Sequence, residues 1–323
     1  MKKVAVIGGG SGIFPVTSAL KHLPVAISTI ITVSDSGGST GRIRDEFGFQ
    51  PIGDLRQSLA ALAEDETQEW IRKLLLYRFD RGTELKGHNL GNLILTALQD
   101  MTGDTDEALQ KAASIFRIEG DVIPATKENV DLKVVYEDGS VIVGEDHLDA
   151  ETSNPKKIDH IELVPEATLN PRAQTAIEAA DFIIIGPGDF YASILPALAP
   201  RGTREAFANT KAEIIYIMNL MTRHTQTRDM SASDHVAEIE EFIGTPVSSI
   251  IMNNQTIPGE TLDRYGKYHE HPVIDDISDD ARLLRAPLLS DITYTQSEND
   301  SAHRSMLRHD SQKLIAILEA IIK

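Results

Sequence analysis

Two glycine-rich loops near the N-terminus each follow an apolar, β-like run. Gly8-Gly9-Gly10-Ser11-Gly12 comes after Val4-Ala5-Val6-Ile7, and Asp35-Ser36-Gly37-Gly38-Ser39-Thr40-Gly41 comes after the run from Ile27 to Val33. A glycine loop between a strand and a helix lets backbone N–H groups approach and point at anionic oxygens. One such loop suggests a phosphate cradle. Two in succession suggest a parallel sheet whose strand ends share one anionic ligand.

Further runs fit that sheet. Lys3–Ile7, Ile27–Val33, Phe182–Ile185, Ile214–Met218, Ser248–Met252 and Val273–Asp275 read as buried parallel strands. Most are continuously apolar, as strands covered on both faces are. Helical patterns separate them. Pro15 suits a first helical turn, Asp104 with Glu107 forms a capping-box pair for a helix ending near Phe116, and Pro171 opens another. Strand alternating with helix predicts an α/β fold with an open, doubly wound sheet.

Two segments interrupt that rhythm. Residues 54–117 are helical in pattern, over Leu55–Ala63, Trp70–Phe79, Leu90–Met101 and Ala108–Ile118. Residues 130–164 look antiparallel: Val130–Tyr136 and Val141–Gly144 flank the turn Glu137-Asp138-Gly139-Ser140, and Ile158–Val164 could add a third strand. The stretch 54–164 reads as an insertion into one core, within a single domain spanning 1–323. The tail Lys313–Ile322 is an amphipathic helix expected to pack on the sheet.

Composition narrows the function. Of 323 residues, 41% are hydrophobic, enough for a buried core. With no cysteine, disulfides, a thiol nucleophile and thiolate metal sites are excluded. The apolar run after Lys2 and Lys3 stops at Gly8, too early for a signal peptide. No stretch approaches the roughly 20 apolar residues that span a bilayer, so a cytoplasmic protein is expected. A net charge of −18 argues against nucleic acid as a partner. Arg42, Arg44 and Arg56 read on composition alone as scattered surface arginines, but their closeness to the second loop raises a local basic site as the alternative.

In open α/β sheets, ligands bind beyond the carboxyl ends of the strands. The residues just past each run are therefore the candidates: Gly8–Gly12; Ser34, Asp35 and the second loop; Gly186-Pro187-Gly188-Asp189; Asn219 and Thr222; Asn253 and Asn254. The first loop fails the dinucleotide fingerprint, because Ile13 stands where the third glycine belongs. That argues against a nicotinamide dehydrogenase. Gly9, Gly10, Ser11 and Gly12 remain candidates for phosphate, with a tight structural turn as the alternative. Asp35 could grip a ribose, hold Mg²⁺ or cap the helical pattern Ser39–Phe47. Ser36, Gly37, Gly38 and Ser39 would bind an anion, with Arg42 as charge partner. Asp54 follows Pro51-Ile52-Gly53 and reads as an N-cap that could also face ligand.

Gly87-His88-Asn89-Leu90-Gly91-Asn92 opens a further helix. His88 and Asn92, four apart, are expected on one face. His88 could serve as general acid or donor, and Asn89 and Asn92 could read a base or sugar. Asp35, Asp54 and His88 are the catalytic candidates. In Gly186-Pro187-Gly188-Asp189-Phe190-Tyr191-Ala192-Ser193, Gly186, Gly188, Asp189 and Ser193 line a third loop. Tyr191 either stacks on a base or packs in the core. Asp234-His235 and His309-Asp310 are sequence neighbours and make no triad without a placed serine. Asn219 completes the ligand-binding set.

Taken in order, these motifs resemble the bacterial gluconeogenesis-factor family, within the CofD or 2-phospho-L-lactate transferase superfamily. The match runs through Ile7–Gly12, Val33–Arg42, Pro51–Arg56, Tyr77-Arg78-Phe79, Gly87–Leu93 and Val122–Thr126. Ile185–Gly188, Ser193–Pro196 and Ser233-Asp234-His235 complete it. The resemblance implies a Rossmann-like three-layer α/β/α fold and a role in cell shape and in growth on gluconeogenic carbon sources. It implies a nucleotide-sugar ligand, UDP-N-acetylglucosamine above all, and protein partners in cell-envelope synthesis. Exposed faces of the insertion could pair two copies into a homodimer. The transferase relatives use Mg²⁺ and move a phospholactyl group from an activated nucleotide to an alcohol, which makes a Mg²⁺-dependent transferase the alternative to a non-enzymatic regulator. This chain departs from the pattern twice. Ser36 stands where relatives carry a second acid, and Thr222-Arg223-His224-Thr225-Gln226-Thr227 replaces Thr-Gln-Pro-Gly-Glu-Thr.

Overall fold

The computed structural model describes residues 1–36, 47–63, 68–148, 156–291 and 306–323. In chain order its strands are β1 (Lys2–Gly8), β2 (Val25–Ile31), β3 (Asp121–Pro124), β4 (Asp131–Tyr136), β5 (Val141–Val143), β6 (Ile158–Val164), β7 (Phe182–Ile185), β8 (Glu213–Ile217), β9 (Ser249–Asn253) and β10 (Leu283–Ala286). One 7-stranded sheet runs β10-β9-β8-β7-β1-β2-β3, and its paired strands are parallel. A 3-stranded sheet runs β5-β4-β6 and is antiparallel. The fold is Rossmann-like, as expected.

The period of two along each strand builds two cores, one on each face of the large sheet. Val4, Val6, Ile184, Ile215 and Ile217 point to one face. There they meet α1 (Phe14–Leu20), α2 (Gly53–Leu62), α3 (Glu69–Leu76), α4 (Leu90–Thr102) and α5 (Thr105–Phe116) through Val16, Leu59, Leu75, Leu95 and Leu109. Ala5, Ile7, Ile183, Ile185 and Tyr216 point to the other face. That layer holds the small sheet through Leu132, Val134 and Ile161, followed by α6 (Glu145–Leu148) and α7 (Pro171–Glu178). A π-helical turn, Phe190–Ile194, then leads into α8 (Leu195–Leu198), α9 (Thr203–Asn209) and α10 (Ala232–Ile243). Beyond β9 lie α11 (Gly259–Gly266) and α12 (Ser311–Ile321). The tail helix α12 adds Leu314 and Leu318 to the core under α1.

Local signals act where the sequence places them. Asp104 caps α5, accepting the Glu107 N–H at 2.9 Å, and Pro171 begins α7. Two strand expectations need correction. Val273–Asp275 is not a strand. Pro272 makes only an isolated bridge to Met221, and Asp276 turns away to accept from Ser233. The strand beside β9 is instead β10, an edge strand with Leu284 and Arg285 exposed. Residues 54–164 also supply β3 to the large sheet, where it pairs with β2 from Ser28↔Asp121 to Ile31↔Pro124. No helix among the described residues is long and apolar enough to cross a membrane.

Candidate functional site

The loop after β1 is bound closely by protein. A β-carbon on Gly9 would lie 2.6 Å from Ser193 Cβ and 2.8 Å from Asp54 Oδ2. On Gly10 it would lie 2.7 Å from Asp54 Cα, and on Gly12 2.5 Å from Gly188 Cα. Only glycine permits these approaches. The loop after β1, the start of α2 and the turn after β7 thus form one packed unit, with Ser11 exposed at its surface. Ile13, the residue that breaks the dinucleotide fingerprint, is fully buried in the core under α1.

Asp54 is not the N-cap that its position suggests. Ile52 occupies that place without a side-chain bond, and Asp54 lies inside the first turn of α2. Its carboxylate accepts the Gly10 N–H. Burial, reinforced by the charges of Asp35 and Asp189, outweighs that bond and the pull of Arg56, and lifts the carboxyl to about 7. Asp35, past β2, and Asp189, past β7, thus act electrostatically on Asp54 in the first turn of α2.

On the far side, the loops after β7 and β8 are laced together. Asn219 clamps Gly188, accepting its N–H at 3.2 Å and donating to its carbonyl at 2.8 Å. Gln226 accepts the Tyr191 N–H at 3.2 Å. Arg223 Nη1 stands 3.9 Å from Asp189 Oδ1. Arg223 was absent from the ligand set drawn from sequence. Its place directly after Thr222, beyond a strand end, is the signal that could have included it. In the π-helical turn both Ser193 N–H and Ile194 N–H reach the Asp189 carbonyl, which swings Ser193 toward Gly9. Tyr191 is buried edge-on to Phe190, 5.3 Å between centroids, so of its two readings the core holds it.

The helix at His88–Asn92 begins later than expected. Asn89 is its N-cap, accepting the Asn92 N–H at 3.1 Å, so His88 lies outside the helix and shares no helical face with Asn92. The backbone of His88 pairs with Phe79. Among the described residues, its Nδ1 and the Asn92 Oδ1 are buried without a hydrogen-bond partner. Gly91 packs on Arg56 and the Leu75 carbonyl, which anchors this turn to α2 and hence to Asp54. Ser36 donates to Asp146 at 2.7 Å, at the start of α6. Gly37, Gly38, Ser39, Arg42 and Arg44 lie outside the described residues.

Both His–Asp neighbours are structural. Asp234 and Ser231 form a capping box on α10, while buried His235 bonds the Ser231 carbonyl and meets the edge of Phe190. Asp310 caps α12, and His309 Nε2 bonds the Met218 carbonyl at 3.1 Å. The Mg²⁺ implied by the resemblance finds no gathered donor set. Among the described residues no three Asp, Glu or His side chains lie together as metal ligands, and Ser36 fills the place of the second acid.

The sequence model of the family described as 2-phospho-L-lactate transferase CofD matches residues 4–292. This chain belongs to the CofD family. Among CofD relatives, the gluconeogenesis factor of Bacillus subtilis is 36% identical over 326 residues, covering 99% of this chain and 98% of that protein. The gluconeogenesis factor of Halalkalibacterium halodurans is 36% identical over 321 residues, covering 98% and 96%. The crystal structure of a protein from Bacillus halodurans superposes with a TM-score of 0.87 at 33% identity, covering 100% of this chain and 99% of that one. The three-layer architecture is thus shared with a solved structure over the whole length of this chain.

Proposed function

We propose that this CofD-family chain binds a nucleotide sugar, UDP-N-acetylglucosamine above all, at the carboxyl edge of its large sheet. In this reading it is a cytoplasmic regulator of gluconeogenic growth and cell shape. The observation that carries the proposal is Asp54, packed against the Gly9-Gly10 loop with its carboxyl raised by burial and by the charges of Asp35 and Asp189. Carboxylates are strong acceptors for sugar hydroxyls, and a carboxyl near 7 can also donate. The names of the relatives, gluconeogenesis factor, support the gluconeogenic part of this reading. Partners in envelope synthesis, and a second copy of the chain, would meet the inserted helices, where Trp70 is 73% and Leu74 41% exposed. Calorimetric titration with UDP-N-acetylglucosamine should show saturable binding. No heat at millimolar ligand, with the protein shown to be folded, would falsify the proposal.

One observation favours transfer of a phospho-linked group as the second reading. A carboxyl held near 7 suits a general acid or base that activates an acceptor hydroxyl. Release of nucleotide from an activated donor in the presence of an alcohol would then be lost in Asp54→Asn. Turnover that survives this substitution removes Asp54 from that role.

A further inference from the structure

Two polar side chains approach Gly9 from distant parts of the chain. A β-carbon on Gly9 would lie 2.6 Å from Ser193 Oγ and 2.8 Å from Asp54 Oδ2. A hydroxyl and a carboxylate thus close on one point above the Gly9 backbone, a point that only glycine leaves open. Ser193 is held there by the π-helical turn, in which Ser193 N–H and Ile194 N–H reach the Asp189 carbonyl at 2.8 and 3.0 Å. Such turns are frequent at functional sites, because they re-aim a side chain without ending the helix. The turn is braced from behind, where Gln226 accepts from Tyr191 and Asn219 clamps Gly188. Asp54 is held by α2 and by the Gly10 N–H.

Both groups have hydrogen-bonding capacity to spare. Among the described residues, the Gly10 N–H is the one donor to the Asp54 carboxylate, which has about four acceptor sites. Among the same residues no group bonds the Ser193 hydroxyl. Both residues are half-buried, so each stays within reach of a ligand. The group that fits between them must accept from one and donate to the other. A ligand hydroxyl does both at once. A phosphate oxygen accepts from Ser193 but is set against the carboxylate charge. An ammonium group donates to Asp54 but has nothing to accept from Ser193. An aliphatic group would leave both side chains desolvated and unpaired. With its carboxyl lifted to about 7, Asp54 can bond a hydroxyl in either protonation state.

We propose that Ser193 and Asp54 form a two-point subsite for a single hydroxyl group of a polyol ligand, seated over Gly9. The hydroxyl-bearing end of the ligand then lies over the loop after β1. That the polyol is the sugar of a nucleotide sugar rests on the function proposed above; the pairing of the two side chains does not.

The test titrates the full chain with UDP-N-acetylglucosamine, N-acetylglucosamine 1-phosphate and UDP, using the wild type, Ser193→Ala, Asp54→Asn and the double variant. Ser193→Ala removes one oxygen and keeps the β-carbon that packs on Gly9. It is expected to weaken both sugar ligands about tenfold while UDP affinity is kept, a split that misfolding cannot imitate. The double variant is expected to lose much less than the product of the two single losses, since one hydroxyl serves both groups. Equal affinity of wild type and Ser193→Ala for both sugar ligands overturns the subsite, as do single losses that multiply in the double variant. If N-acetylglucosamine 1-phosphate follows the expected pattern and neither UDP nor UDP-N-acetylglucosamine binds, the subsite stands and the nucleotide reading falls. If UDP and UDP-N-acetylglucosamine bind every variant as they bind the wild type, the nucleotide reading stands and the subsite falls. A wild type that binds none of the three overturns both.

Discussion

Gly10 and Asp54 touch backbone to backbone, so closely that a β-carbon on Gly10 would lie 2.7 Å from Asp54 Cα. The same glycine gives its N–H to the Asp54 carboxylate. The contact fixes the first loop to α2 and places the raised carboxyl at the sheet edge.

Gly10→Ala is expected to destabilise the protein by about 3 kcal/mol or more, because backbone on both sides must move to admit the methyl. Gly259→Ala is the control, since a β-carbon there meets nothing within 4 Å. Chemical denaturation of the two variants should separate them clearly. A Gly10→Ala protein as stable as Gly259→Ala would show that the loop is free to shift.

Asp54→Asn should stabilise the fold most at alkaline pH. The folded carboxyl titrates at about 7 against 3.8 in the unfolded chain. A raised carboxyl pKa means that the folded state binds more protons, so stability is full below 3.8 and is lost as pH rises through 7. Unfolding at pH 5 and pH 8.5 should show the variant gaining roughly 3 kcal/mol on the wild type over that interval. A pH-independent difference would contradict the assignment.

His309 acts in the opposite sense. Burial holds its imidazole down at about 4, against 6.5 when exposed, despite the bond to Met218. Its contribution is complete above 6.5 and lost as pH falls toward 4. Relative to His309→Gln, the wild type should lose about 3 kcal/mol between those limits. A wild type and variant that decline in parallel would refute this role.

The Asp106–Arg172 pair joins α5 to α7, and Arg172 also reaches Asp121 of β3 at 2.8 Å. The Asp106 side chain is 2% exposed. Asp106→Ala should therefore cost about 3 kcal/mol by leaving the guanidinium short of a buried partner. Thermal unfolding reads the loss, and Asp121→Ala, removing the exposed partner, should cost about 1 kcal/mol or less.

Strands buried on both faces announce themselves, which is why β1, β7 and β8 were legible as apolar runs. β10 was not, because an edge strand with exposed Leu284 and Arg285 carries no such run. β3 is short and ends in Pro124, a residue that an edge strand tolerates since it need not donate outward. Asp35 and Asp189 were legible from the rule that ligands gather at strand ends, and Asp54 only as a residue opening a helix. The partners of Asn219 and Tyr191 were not, because they come from turns far away in sequence. Arg223 is legible in the sequence only as a departure from the family pattern, because its neighbour Asp189 comes from another turn.

The order β10-β9-β8-β7-β1-β2-β3 seats the first strand of the chain in the interior of the sheet. One side of β1 is matched early, Lys2 with Val25, but the other waits for Val4 to meet Phe182. During synthesis the ribosome must therefore deliver more than half of the polypeptide before that ladder can close. Until then the backbone of Val4–Ile7 presents an open edge to whatever strand arrives first. Folding is correspondingly governed by long-range closure, and a nascent chain halted within residues 54–164 is the form most prone to mispairing.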